Sequence, residues 1–365
     1  MKPHQARRRV LPLVMGGLLL LSGCGATAPK RAADSGPLVY PPPPEPARYM
    51  HLRTIYGTHN VEEITREESL RALLTGSTGK QGLPFSKPFD VAVHNGRVFV
   101  TDTVRFEIFA FDLVEKRTFQ FGRKGDESDV GKPLGIAADA KGWVYVVDNR
   151  HKRVVVYDRD GKYLYAFGGK EFMDRPTGID VDPEGKRAYV VDVGGVGSEK
   201  HQIHVFDIEK REFLFDIATR GKDEGQLNLP RDVSIGPDGL LYVTDGGNFR
   251  IQVFTQDGKF VRTWGKAGMR YGNFSRPKGI ATDAQGLVYA VDAAFGNFQI
   301  FDQEGTLLLF IGTRNEKDGP GIFMLPAGID IDEKGYIYVI DQFFRKLEIF
   351  RPVKEGENTT AASKG

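Results

Sequence analysis

The chain has 365 residues, 40% hydrophobic and 27% charged, a globular balance that excludes a disordered or polytopic membrane class. Its net charge of +2 falls by four, to −2, without Lys2, Arg7, Arg8 and Arg9, so no basic footprint for nucleic acid remains. One cysteine excludes a disulfide framework within the chain and any Cys-rich zinc site, while 44 glycines, about 12% against an average near 7%, imply many turns.

Residues 1–23 have the three parts of an export signal. Lys2 to Arg9 is cationic. Val10 to Leu21 is an apolar run of 12 residues, too short to cross a hydrocarbon core of about 30 Å as a helix. Leu21-Ser22-Gly23-Cys24 follows and resembles a bacterial lipobox. That resemblance implies removal of 1–23, lipidation of Cys24 and multiple acyl chains as a stable anchor. Gly25 in place of Asp resembles the outer-membrane sorting choice, which implies a lipid-anchored envelope protein facing the periplasm or the surface. Residues 24–49, with Pro41-Pro42-Pro43-Pro44-Glu45-Pro46, read as a stiff tether, and 353–365 as a flexible tail.

Between them one motif recurs six times: Pro, an apolar strand, a Gly turn and a strand ending in Asp. The prolines are Pro88, Pro133, Pro176, Pro230, Pro277 and Pro326, spaced 45, 43, 54, 47 and 49 residues apart. The matching aspartates are Asp102, Asp148, Asp192, Asp245, Asp292 and Asp341, each expected to accept backbone N–H bonds at a loop start. The turns run from Asn95-Gly96 to Lys334-Gly335, where Gly supplies positive φ. A third and a fourth strand follow, the fourth often ending aromatic-Gly, as at Phe121-Gly122 and Trp264-Gly265. Four-stranded units of this length predict an all-β, six-bladed β-propeller over residues 50–352. The sixth copy stops after its third strand at Phe350, and residues 50–57 end in Tyr56-Gly57 like a fourth strand, so they are expected to complete the last blade.

Segments such as Leu229 to Phe254, and the Gly-rich link Gly265 to Pro277, resemble NHL repeats. The resemblance covers roughly 46–352 and implies an envelope NHL-repeat propeller, while leaving the activity open, because one fold hosts many functions.

Two length irregularities fall on the side of the ring carrying the loops between second and third strands and the links between blades. The third copy has five extra residues between Asp192 and His201, and the stretch from Gly57 to Pro88 is 31 residues against 12 for Gly265 to Pro277. Val61, Ile64, Leu73 and Leu74 in that stretch fit one helical face, so a short helix is expected over about 60–76. Loop side chains after each Asp are the ligand-binding candidates: Arg105, Arg150, His151, His201, Phe249, Arg250, Phe295, Phe344 and Arg345. His151, His201 and His204 are weak metal candidates. Amidating lyases built on this repeat are similar in holding zinc with histidines from several blades, but His201 and His204 straddle a loop–strand junction, so no metal and no cofactor is expected. No residue set matches a hydrolase motif, and none is assigned as catalytic. The favoured reading is a membrane-tethered, non-catalytic scaffold presenting one propeller face to a protein, peptide or glycan partner. The alternative is an envelope hydrolase or lyase with its site at the central channel mouth.

Overall fold

The computed structural model describes residues 37–62, 82–123, 128–195 and 197–354, with Leu74, Gly125, Gly356 and Glu357 besides. The export signal, Cys24 and the tether to residue 36 lie outside the described residues, as do most of the expected helix at 60–76 and the tail beyond 357.

Six antiparallel sheets form a ring, five of them built from four consecutive strands in meander order and the sixth joining N-terminal strands to the last three. The first blade shows the plan: Pro88–His94 innermost, then Arg97–Asp102, Glu107–Asp112 and Arg117–Phe121 outermost. Inner strands touch around the whole circle, and Pro326–Ile331 closes on Pro88–His94. The residues explain the local structure. Second strands are β-branched and aromatic, as in Val144–Asp148, and are buried along their length. The six glycines of the inner hairpins all have φ between 69° and 85°, which suits the tight turns there.

Both faces of each blade are buried, so neighbouring blades pack sheet on sheet. Six apolar clusters result, each shared by two adjacent blades. Ile55, Val98, Phe109 and Leu347 fill the one between the last blade and the first. Every repeat Asp is fully buried. Asp102 shows the role most fully: its Oδ2 accepts from the N–H groups of Ser86 and Lys87 on the incoming link, and its Oδ1 from Val104 and Arg105 in its own loop. Each of the other five accepts at least one link N–H. These bonds put links and loops on one side, here the loop face. The hairpin turns occupy the other, the turn face.

The last blade is completed by the N-terminal segment. Tyr49–Ile55 pairs antiparallel with Lys346–Pro352, from Tyr49 opposite Pro352 to Ile55 opposite Leu347. The tether reading of 24–49 missed one further element: Val39–Tyr40 folds back onto Met50 and Tyr49, giving this sheet a fifth strand. A buried polar cluster locks the seam. Lys346 Nζ lies 2.6 Å from Glu348 and 2.8 Å from Asp318, and donates to the Gly319 carbonyl at 2.8 Å. Glu348 also accepts from Gly321 N–H, and Thr54 and His51 of the added strand bond to it.

Candidate functional site

Every inner strand carries the same irregularity. The repeat Pro pairs with the repeat Asp, but pairing resumes only three residues later, at Val91, Ile136, Ile179, Val233, Ile280 or Ile329. Proline has no N–H to offer the ladder, and bulges of this kind re-aim side chains at channel rims. The displaced pairs are Phe89-Asp90, Leu134-Gly135, Thr177-Gly178, Arg231-Asp232, Lys278-Gly279 and Ala327-Gly328. All but the second line a cavity of about 230 Å³ at the loop-face mouth of the channel, joined by Arg276 and Pro277. A second cavity of about 370 Å³, towards the turn face, shares Asp90 and Asp232 and adds Asp180 and Asp330.

Each of these four carboxylates stitches one blade to the next. Asp90 accepts from Ile136 N–H at 3.1 Å, Asp180 from Ile235 N–H at 2.7 Å, Asp232 from Ile280 N–H at 3.1 Å and Asp330 from Val93 N–H at 2.7 Å. Burial pushes Asp90 up to about 7, against the pull of its backbone bonds, and the charge of Asp180 adds to the rise. Burial likewise takes Asp180 to about 7, and holds Asp232 and Asp330 well above the usual carboxylate range.

The rim is cationic. Lys278 is half-buried, and its Nζ donates to Gln342 Oε1 at 3.2 Å. Burial first, then the charges of Arg276 and Arg231, bring its pKa down to about 8, although Asp341 works the other way. Arg231 and Arg276 keep exposed side chains. Desolvation at the mouth still lowers the pKa of Arg231, as do Arg276 and Arg175. None of Arg231, Arg276 and Lys278 has an acidic ion-pair partner among the described residues.

The candidates read from the sequence sit elsewhere on the loop face, and none of the nine lines this cavity. Arg105 Nε donates to the Pro84 carbonyl at 3.0 Å. Arg250 reaches Asp245 at 2.8 Å and the Asp223 and Gln226 carbonyls, which makes it a brace for its own blade. Phe249 packs against the cluster between blades four and five. Phe295 meets Tyr271 edge-on, and Phe344 lies under the Lys346 ammonium. Arg150 and Arg345 are exposed. His151 is exposed too, with Nδ1 held 2.6 Å from Asp148. His201 is buried and its Nδ1 accepts from Leu229 N–H at 3.1 Å; burial and Arg220 lower its pKa. Burial opposes charge on His204, but bonds to Asp192 at 3.2 Å and Asp216 at 2.6 Å outweigh it and raise its pKa. No cluster of three His, Cys, Asp or Glu suited to a metal occurs among the described residues. The mouth residues escaped notice in the sequence. Their signal was there: the position after the repeat Pro reads Phe, Leu, Thr, Arg, Lys and Ala in an otherwise repetitive motif.

Residues 227–254 match the family model of the NHL repeat. They span the link into blade four and its first three strands. A segment of 119 residues, 31% of the chain, is 31% identical to the peptidylglycine alpha-amidating monooxygenase of Rattus norvegicus, and 120 residues, 32% of the chain, are 28% identical to a probable peptidyl-alpha-hydroxyglycine alpha-amidating lyase of Caenorhabditis elegans. The chain spans only 12% and 32% of the lengths of those relatives. A gluconolactonase structure from Xanthomonas campestris superposes with a TM-score of 0.56 over 83% of this chain and 98% of that one, at 15% identity, a likeness of fold alone.

Proposed function

We propose that the protein is a binding scaffold that presents its loop face to a protein, peptide or glycan partner, held to an envelope membrane by lipid on Cys24. One observation carries the reading. Exposed large apolar side chains stand on the loop face at Val104, Phe106, Leu229, Met269, Tyr271 and Phe343, and on the outer strands at Leu52, Leu214, Val261, Leu308 and Phe310, whereas Val114 is the one such side chain among the described residues of the turn-face loops. Exposed apolar groups rimmed by charge mark interaction surfaces, and Arg150 and Arg345 stand on the same side. Loops on a rigid scaffold are where recognition concentrates.

The test is cross-linking in intact cells with photoreactive groups on the loop face. Phe343→Ala and Arg150→Glu are expected to cut the yield of the cross-linked product at least several-fold, with the melting temperature unchanged. Lys141→Glu on the turn face is expected to leave it intact. Equal yields from all three would overturn the assignment of the face. The lyase or hydrolase reading draws on the amidating relatives, whose likeness spans about a third of the chain. Against it, both ring nitrogens of His204 are engaged, by Asp192 and Asp216, and Nδ1 of the buried His201 accepts from Leu229 N–H.

A further inference from the structure

We propose that the loop-face mouth of the channel is an anion-binding site, in which Arg231, Arg276 and Lys278 hold one carboxylate or phosphate group. The inference stands on the mouth alone and is independent of the partner on the loop face.

Three cations from the fourth and fifth blades meet on the wall of one cavity. Arg231 and Lys278 are aimed there by the bulge after Pro230 and Pro277, and Arg276 enters from the link before Pro277. Gathering like charges at a partly desolvated site costs stability. Elsewhere this fold pairs such groups: Arg97 with Asp112 at 2.8 Å, Lys346 with Glu348 and Asp318, Arg250 with Asp245. At the mouth no acid lies within ion-pair distance of them among the described residues, and the amine of Lys278 gives up part of its proton affinity instead. An incoming oxyanion removes that penalty and finds the fork of a guanidinium as its partner.

Size and floor narrow the ligand. A cavity of about 230 Å³ takes one small acid or the charged end of a longer molecule, not a whole drug-sized ligand. Asp90 and Asp232 form the floor, and their raised proton affinity keeps that floor from being fully anionic near neutral pH. A protonated floor carboxyl donates to an oxyanion, whereas an ionised one repels it. Phe89, Pro277 and Ala327 add an apolar wall for the group that bears the anion.

The test uses the full chain at constant ionic strength set with chloride. Inorganic phosphate is one probe. The other is an acetylated tripeptide ending in a free carboxylate, with its C-terminal amide as control. At least one probe is expected to raise the melting temperature and to titrate calorimetrically, because a ligand of the native state stabilises it by mass action. The double variant Arg231→Gln, Arg276→Gln is expected to weaken binding at least tenfold. In ligand-free buffer that variant is expected to melt at the same temperature or higher, since it removes repulsion from an exposed rim. A response to phosphate only assigns the site to a phosphate group, and a response to the acid but not the amide assigns it to a chain end. No shift beyond chloride with either probe, or full binding retained by the double variant, overturns the proposal. Loss of binding together with a lowered melting temperature would mark the two arginines as structural and overturn it as well.

Discussion

Four aspartates border one channel, and among the described residues none has a cation bonded to it. Their folded-state proton affinity is raised, so the folded protein binds protons that the unfolded chain has already released. Such groups favour the folded state below about pH 4, and that advantage is lost as pH rises towards 7. Asp180→Asn is therefore expected to flatten the pH dependence of stability. Relative to the variant, the parent protein should lose on the order of a few kcal/mol between pH 4 and 8, because a tenfold change in proton affinity is worth about 1.4 kcal/mol. Chemical denaturation at several pH values checks this, and parallel profiles for the two proteins would refute it. His204 has the opposite chemistry and the same sign. Its raised pKa adds stability that is complete below its unfolded value near 6.5 and disappears as pH climbs through the folded one. Little of this was legible in the sequence. Asp90, Asp180, Asp232 and Asp330 fall at two different offsets from the repeat Pro, so no single aligned column exposes them. Only the ring brings them together. The repeat Asp residues were easier to read, because a carboxylate at a loop start has a known use in capping backbone N–H groups.

At the scale of the element, the strands were legible because their signals are local: β-branched runs, Gly turns and Asp endings at fixed spacing. The closing strand was legible by subtraction, since the sixth copy lacked a fourth strand and the segment before the first had one to spare. The short strand Val39–Tyr40 gave no such signal, because two residues beside a proline run carry no periodicity. The seam also holds a polar cluster that pattern reading does not reach. Lys346 is fully buried between Glu348 and Asp318, with Tyr56 bonded to Asp318 at 2.7 Å. Removing one partner of a buried ion pair leaves the other charge uncompensated, at about 3–5 kcal/mol. Lys346→Met is expected to cost that much in equilibrium denaturation. Ile55→Ala, on the apolar side of the same strand, is expected to cost about 2–5 kcal/mol through the cavity it leaves. Values within 1 kcal/mol of the parent for both would mean that the seam contributes little to the stability of the ring.

For the whole molecule, the prediction concerns the anchor. Cys24→Ala is expected to move the protein from the detergent phase to the aqueous phase after export and to abolish acyl labelling. A parent protein that partitions to the aqueous phase without lipid would remove the membrane from the account. The propeller was readable at this scale because six copies of one unit allow few other architectures. The partner was not, because recognition depends on which side chains converge in space, and the cations at the channel mouth converge only once blades four and five stand side by side.

The seam also sets the order in which the molecule can be made. Thr54 meets Glu348 across a sequence separation of 294 residues. Closing so long a loop in an unfolded chain carries an entropic cost of about 5 kcal/mol, so this pairing is favourable only after the intervening blades have condensed. During synthesis the segment Tyr49–Ile55 therefore emerges long before Lys346–Pro352 and pairs with it last. For that whole interval the edge that will face Lys346–Pro352 is unpaired and open to every other chain nearby. Its sequence suits the wait: Arg53, with His51 and Thr54 on either side of the Leu52-Arg53 pair, breaks the apolar run, and charge on such a strand discourages pairing with the wrong partner. Aggregation during biogenesis is thus expected to be governed by how quickly residues 346–352 become available, more than by the stability of the finished ring.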